Sequence, residues 1–533
     1  MSAASGVLPL DQSVWKPKAN PWLIAVVVSL AAFMEVLDTS IANVALPHMA
    51  GNLGASGEES TWVLTSYLVA NAIVLPLSGW LVGIFGRKRF FMTCIFIFTA
   101  SSLLCGIAPS LGLLLFFRVL QGAGGGGLQP MVQAILADTF PPAKRGLAFS
   151  LYGITAVCAP ALGPTLGGWI TDSYSWRWIF YINLPVGFFA LVMVYRLVED
   201  PPYLLKRIGN TIRMDYIGFS LLALGVGALQ ILLDKGQEDD WFGSRFIVTL
   251  AAVAAVCLVS LVIWELRQKN PIVDVRLFRN SNFSTACVMM FMVGAVSFAT
   301  TVLMPQFLQT LLGYSAESAG MVMSAAGFLL LLALPVVGRL TTKVQARYLI
   351  AFGWMLLAIT MFLSTQRIDL IMSFGAATRL RIIQYIPLGF IFVPATLAAY
   401  VGIGQDKSNA VAGLINFVRN IGSSVGTSVV VTVIARRTQF HLSTLVSNIP
   451  AGSERFKNAV DGLTALLIRG GLSPHEAHQQ AVARIYGSIQ AQAATLSYID
   501  AYWILAIAAG IMFFMSYILK KNDPKSGGQI SAH

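Results

Sequence analysis

Charge is what this 533-residue chain has least of: only 11% of its residues are Asp, Glu, Lys or Arg, while 56% are hydrophobic. Soluble domains carry about 25% charged residues, so an ordinary water-soluble globule is excluded. Close-spaced cysteines are also missing. Cys94, Cys105, Cys158, Cys257 and Cys287 stand apart in apolar runs, which indicates neither a disulfide framework nor a zinc site. Metal-hydrolase motifs and a nucleophile elbow are lacking too, and we expect no metal, no bound cofactor and no enzymatic activity. Gly122, Gly124 and Gly127 do spell GxGxxG, but no strand precedes them and no GK[ST] follows. That argues against a dinucleotide loop and against an ATP-driven pump. The apolar runs do not alternate with polar residues, which removes a β-barrel.

Long apolar runs are what the chain has in abundance. Fourteen of spanning length lie between 22 and 520, the last two at 408–435 and 500–520. At about 20 residues per span they predict an all-α polytopic membrane protein with fourteen transmembrane helices. The net charge of +12 falls in alternate loops, around Lys18, Arg87-Lys88-Arg89, Lys144 and Arg145, Lys206 and Arg207, Arg276 and Arg279, Arg339 and Arg347, and Lys520 and Lys521. Those loops are cytoplasmic by the positive-inside rule, which puts both termini inside, with 1–20 as a cytoplasmic N-terminal segment. The basic balance then reports topology and an anionic lipid bilayer as partner, with no role for nucleic acid. The first apolar run is expected to be a span and not a removable leader.

Two acids interrupt that first run. Glu35 and Asp38 stand three apart in FMEVLDTSIANVALP, on one face of a helix. An ionisable group in hydrocarbon costs roughly 2.5–3.5 kcal/mol on insertion scales, so the pair predicts a water-accessible path; structural hydrogen bonds between helices are the alternative.

The chain also repeats itself. Pro76, Gly79, Leu81 and Lys88 recur as Pro335, Gly338, Leu340 and Arg347 at an offset of 259, and Gly163 and Gly167 meet Gly422 and Gly426 at the same offset. This predicts two six-helix bundles in parallel pseudo-repeat, the arrangement of transporters built around a central site. The bundles occupy 21–200 and 271–533, and 201–270 forms a linker with two extra transmembrane helices.

Five segments in order carry a family resemblance: LDTSIANVALP at 37–47, GWLVGIFGRKR at 79–89, RVLQGAGGGG at 118–127, APALGPTLGG at 159–168 and WRWIFYINLPVG at 176–187. The chain resembles the major facilitator superfamily, and within it the fourteen-helix drug/proton antiporters of the EmrB/QacA type. The resemblance implies a multidrug efflux transporter of the bacterial inner membrane, driven by the proton gradient, that exports small amphipathic compounds by alternating access. A proton-coupled symporter of a metabolite or lipid-like substrate is the alternative. One departure stands out: the loop motif of that group usually has an acid where this chain has Gly83, so a charge relay from that acid to the basic loop cannot be carried over. Gly79, Gly86, Arg87 and Lys88 remain as a gating or topology loop, with Arg87 and Lys88 expected to bind headgroups.

The residues have their own readings. Arg118 and Asp38 lie at similar depth, roughly 10 and 14 Å from the outer ends of their helices, and are expected to pair. Asp38 is then expected as a gate or a substrate contact, with a permanent Arg118–Asp38 clamp as the alternative. Glu35 has no evident base nearby and is the better proton carrier. Proton coupling is thus assigned to Glu35, Asp38 and Arg118. Asn43, Gln121, Asn416, Arg419 and Asn420 are assigned to the substrate cavity, the last three on a polar helical stripe. Pro160 and Pro164 bend the fifth helix, while Gly163, Gly167 and Gly168 allow close approach, a conformational motif that closes one side of the path.

The polar stretch 437–499 is expected outside the cytoplasm as a hairpin of two amphipathic helices, the second starting at Ser473. It either lies on the membrane or, as the EmrB-like resemblance implies, docks a periplasmic adaptor that leads to an outer-membrane channel.

Overall fold

The computed structural model describes residues 17–201, 215–404, 407–448 and 453–520, and among these residues there is no strand. Lys206 and Arg207 of the expected linker and Lys521 of the C-terminal basic cluster lie outside the described residues, as does most of the 1–20 segment. Among the described residues fourteen helices are long and apolar enough to cross a bilayer. In chain order they are α1 (Pro21–Leu53), α2 (Gly57–Phe85), α3 (Arg87–Ile107), α4 (Leu111–Thr139), α5 (Lys144–Ser173), α6 (Trp178–Leu197), α7 (Tyr216–Lys235), α8 (Arg245–Arg267), α9 (Ser281–Thr310), α10 (Glu317–Leu340), α11 (Ala346–Arg367), α12 (Phe374–Ala399) and α13 (Ser408–Ser447), followed after a shorter helix by α15 (Pro474–Ile518). The shorter helix, α14 (Glu454–Arg469), is amphipathic.

Local chemistry sets the helix ends. Ser56 and Glu59 form a reciprocal capping box that starts α2, and Ser473 and Glu476 form another at α15. Gly86 has φ 81, a conformation that resists a side chain, and it lets α3 start one residue after α2 ends. The backbone therefore turns back at once and delivers Arg87 to the inside of the bundle rather than to the surface.

The duplication is visible in how helices meet. In the first half α5 lies against α1, where a Cβ on Gly167 would sit 3.1 Å from the Ile41 carbonyl oxygen. In the second half α13 lies against α9, where a Cβ on Gly426 would sit 2.3 Å from the Ala295 carbonyl oxygen. Glycine at these positions permits backbone-to-backbone approach that any side chain would prevent.

The two halves close on each other at the end that carries Arg87, Lys144 and Arg347, here the basic end. There a Cβ on Gly79 of α2 would sit 3.0 Å from the Ala410 Cα of α13, and one on Gly146 of α5 would sit 2.8 Å from the Gly338 carbonyl of α10. Phe149 and Tyr400 meet across the same junction as a tilted pair with ring centroids 5.7 Å apart. α7 and α8 pack on each other, and α7 also lies between the halves on one flank. Its Gln230 donates to Ser424 of α13 at 2.7 Å, while Asp234 accepts from Thr65 of α2 and Lys235 donates to Thr61.

Two expected boundaries need correction. α13 runs to Ser447 and α15 begins at Pro474, so neither stops at the membrane surface. At ~1.5 Å per residue each is about 60 Å long, roughly twice the ~30 Å hydrocarbon core. The second hairpin helix is thus the first portion of the last span, because after Pro474 at the first helical position no proline occurs up to Met515. It cannot lie flat on a membrane while continuing through one. α14 packs on it through Val460 and Leu467 against Ala477 and Ala481, a small core of its own. His441 is half-buried where this extension begins and bonds Asp500 at 2.7 Å, beside Arg437 at 2.6 Å from the same carboxylate oxygen.

Candidate proton and substrate site

Asp38 and Arg118 meet inside the first half, both essentially unexposed. Arg118 Nη1 donates to Asp38 Oδ2 at 2.7 Å, and Asp38 Oδ1 accepts from Gln121 Nε2 at 3.0 Å and from Asn183 Nδ2 at 2.7 Å. Arg118 Nε donates to the Val63 carbonyl at 3.0 Å, and the guanidinium lies 4.4 Å from the Tyr67 ring centroid. Five helices of one half, α1, α2, α3, α4 and α6, converge here, since Asn183 also donates to Ser102 of α3. A buried ion pair is tolerable when most of its remaining lone pairs and protons are satisfied, and Gln121, Asn183, the Val63 carbonyl and the Tyr67 ring do this here, with Arg118 Nη2 left without an acceptor among the described residues.

Glu35, one turn away on α1, is also buried but sits among neutral donors. Tyr67 and Asn71 donate to its Oε1 at 3.0 and 3.1 Å, and Gln129 Nε2 donates to its Oε2 at 2.7 Å. The expectation of a partnerless acid is corrected: Glu35 has no base beside it, but it has three hydrogen-bond partners. Polar residues of α2 and α4 at helical spacing supply them.

The third partner leads across the molecule. Gln129 Oε1 accepts from Arg419 Nη2 of α13, in the other half. The Tyr152 hydroxyl lies 3.0 Å from both Gln129 Oε1 and Asn416 Oδ1, and Gln133 donates to that same Asn416 oxygen at 3.4 Å. Glu35 of the first half is thus one side chain away from Arg419 of the second.

Comparison with known proteins gives this arrangement a family. A family model for the Major Facilitator Superfamily matches residues 28–427. The chain belongs to that superfamily. Its relatives include the multidrug export protein EmrB of Escherichia coli K12, 35% identical over 96% of this chain and 98% of the relative, and that of Haemophilus influenzae, 40% identical over 80% and 83%. The fatty acid resistance protein FarB of Neisseria gonorrhoeae is 39% identical over 83% of this chain and 86% of its own length. In fold the chain is similar to the proton:xylose symporter XylE, with a TM-score of 0.58 at 15% identity over 95% of this chain and 97% of that one. The chain is therefore an EmrB-like multi-pass membrane protein of the Major Facilitator Superfamily.

Other expected site residues of this superfamily member fall in different places. Gln121 is completely buried in the Asp38 clamp and does not line a cavity, because it lies one turn beyond Arg118 and turns inward with it. Asn416 is 1% exposed and held in the Tyr152 network, so it too is not a free cavity residue. Arg419 and Asn420 remain half-buried on α13, the Asn420 Oδ1 atom without a hydrogen-bond partner, and Asn43 is exposed beyond the clamp on α1. Of the conformational motif, Gly163 and Gly167 face Ser40 and Ile41, whereas a Cβ on Gly168 would meet nothing within 4 Å, so only two of the three glycines form the seam. The Pro160 carbonyl accepts from Ser40 at 3.0 Å, and a π-helical stretch at Ile154–Cys158 precedes the prolines.

Arg87 does not reach lipid headgroups. It is 1% exposed, donates to Asp138 Oδ2 of α4 at 2.6 Å and to Asn409 Oδ1 of α13 at 3.2 Å, and so ties the halves together at the basic end. Gly83 removes one acid, but Asp138 supplies another from a helix the loop motif does not contain. Lys88 faces outward along α6, where it donates to the Tyr195 carbonyl at 2.6 Å while its amide binds Asp200. Sequence reasoning missed Gln129, Tyr152, Tyr67, Asn71, Asn183 and Asp138. The signal available was the pair Gln129 and Gln133, two amides one helical turn apart in an otherwise apolar helix.

Proposed function

We propose that this protein exports amphipathic compounds in exchange for protons by alternating access, with Glu35 carrying the proton. One observation carries the reading: the buried Glu35 carboxyl is joined through Gln129 to Arg419 of the opposite half. While Glu35 is a carboxylate it accepts the Gln129 amide, and Gln129 then presents its oxygen to Arg419. A proton on Glu35 Oε2, the carboxyl oxygen that faces Gln129, turns that carboxyl oxygen into a donor. Gln129 must rotate to accept it, which sets its NH2 against the guanidinium, donor against donor. The bond between the halves is lost, so one proton is converted into a change of inter-half contact. The Asp38–Arg118 clamp keeps α1 in place meanwhile, and the Gly163–Gly167 seam guides it against α5.

The names of the relatives, multidrug export and fatty acid resistance, support amphipathic cargo. The basic clusters support a bacterial inner-membrane protein with both termini cytoplasmic, and hence a basic end that faces the cytoplasm. The long upright extensions of α13 and α15, with α14 against them, support docking of a periplasmic adaptor that leads to an outer-membrane channel. The reading is tested by proton release from purified protein on addition of a cationic, an anionic and a neutral amphiphile. Release by at least one of them, lost in Glu35→Gln, is expected; release unaffected by that substitution refutes the assignment.

A further inference from the structure

The second half repeats the Arg118 clamp without its acid. The step from Arg118 to Gln121 in α4 recurs as Arg381 to Gln384 in α12, each arginine lying about 10 Å from the start of its helix at ~1.5 Å per residue. Arg381 is completely buried. Where Asp38 faces Arg118 from α1, Thr301 faces Arg381 from α9, accepting from its Nη2 at 3.1 Å. The remaining neighbours are neutral: Gln384 Oε1 accepts from Nη1 at 3.3 Å, and the Tyr385 ring centroid lies 4.3 Å away. Arg381 Nε has no acceptor among the described residues.

A guanidinium stays protonated and brings five N–H donors. Here two neutral oxygens answer them, and no carboxylate among the described residues is paired with Arg381. α9, α11, α12 and α13 contain no Asp or Glu. Glu317 and Glu476 stand exposed at the outer starts of α10 and α15, and Asp500 of α15 is committed to Arg437 and His441. The titratable groups that face Arg381 are Tyr385 and Tyr502. A lone charge in such surroundings is among the costliest things a membrane protein can bury, whereas the same arginine with a counter-charge is ordinary.

We propose that Arg381, with Thr301 and Gln384, is the binding site for a monovalent anion in the second half, the place that Asp38 fills internally in the first. The ligand is either inorganic chloride or the carboxylate head of an amphiphile, both of which offer one compact negative charge to the unpaired donors.

The test uses the full chain in phosphatidylcholine nanodiscs, with thermal stability followed by tryptophan fluorescence. Sodium isethionate, a bulky sulfonate, is exchanged for sodium chloride in one arm and for sodium hexanoate in another, at constant ionic strength. A saturable rise in Tm with chloride identifies the inorganic ion, and one with hexanoate alone identifies the amphiphile carboxylate. Arg381→Gln should weaken the apparent affinity roughly tenfold or more, the loss expected when a charge-assisted bond is removed. Thr301→Asp rebuilds the first-half pair, so it should raise Tm in isethionate and abolish the anion dependence. It also decides the matter if Arg381→Gln fails to fold. No saturable response of the unsubstituted chain to either anion, or a response unchanged in Thr301→Asp, overturns the proposal. No gradient or transport enters the measurement, so it fails separately from the reading of the chain as a proton-coupled exporter.

Discussion

Replacing Gln129 by Met removes a side chain that hydrogen-bonds both Glu35 and Arg419, with little change of volume. Two bonds disappear, a 2.7 Å donation to the Glu35 carboxylate and the acceptance from the Arg419 guanidinium. Hydrogen bonds to charged groups contribute about 1.5–3 kcal/mol each, but part is recovered as neighbours rearrange, which leaves a coupling of about 1–3 kcal/mol between proton and inter-half contact. That corresponds to a 5- to 150-fold dependence of substrate affinity on the protonation state of Glu35, by the usual conversion of coupling energy. Gln129→Met should flatten this dependence. The assay is substrate binding to purified protein at acid and at alkaline pH, for the unsubstituted chain, Gln129→Met, Arg419→Gln and the double variant. Each single variant should lose most of the pH dependence, and the double variant should lose no more, because all three cut the same link. A pH dependence retained in Gln129→Met, or losses that add in the double variant, would refute the relay.

Glu35→Gln should abolish export driven by a pH gradient in proteoliposomes while leaving substrate binding measurable; full coupled export by that variant removes Glu35 from the proton path. Asp38→Asn or Arg118→Gln leaves a buried charge unpaired and should cost about 3–5 kcal/mol, seen as poor yield and early thermal unfolding, with the double variant recovering part of the loss. Gly167→Leu drives a side chain toward the Ile41 backbone, and together with Pro164→Ala it should reduce turnover far more than expression; unchanged turnover in both would leave only packing at the seam. Replacing 449–473 by a short Gly/Ser bridge removes α14 while sparing both long helices. It should preserve transport in vesicles and abolish co-purification of an adaptor, and an adaptor that still co-purifies would place docking elsewhere.

The fold was legible because a bilayer makes hydrophobic length a direct reporter of spans: all fourteen expected spans are present. What hydropathy could not report is where a helix continues in water, so the outer portions of α13 and α15 read as loop and hairpin. The Asp38–Arg118 pair was legible for a similar reason, since charges in hydrocarbon must find each other and depth along a helix can be counted. The Glu35 partners were not. Neutral side chains such as Tyr67, Asn71 and Gln129 are unremarkable one at a time, and only the packing of α1, α2 and α4 brings them to one carboxyl. Arg87 was misassigned because a basic loop at a membrane surface usually faces lipid, whereas the one-residue turn at Gly86 swings it inward.

The position of α7 decides how cargo can leave. Its ties to α2 involve Asp234 and Lys235, whereas the contacts with α13 are neutral, Gln230 of α7 to Ser424 and Trp241 of the α7–α8 connection to Thr432. In the alternating-access reading proposed above, the charged side would hold and the neutral side slip as the halves part, so that α7 would travel with the first half like a shutter fixed to one jamb. The opposite flank is covered in turn by α5 on α10, where Thr165 and Ser324 lie 2.6 Å apart. On the export reading proposed above, two screened flanks would steer an amphiphile released from the centre along the molecular axis toward the standing extensions of α13 and α15, and away from the surrounding lipid.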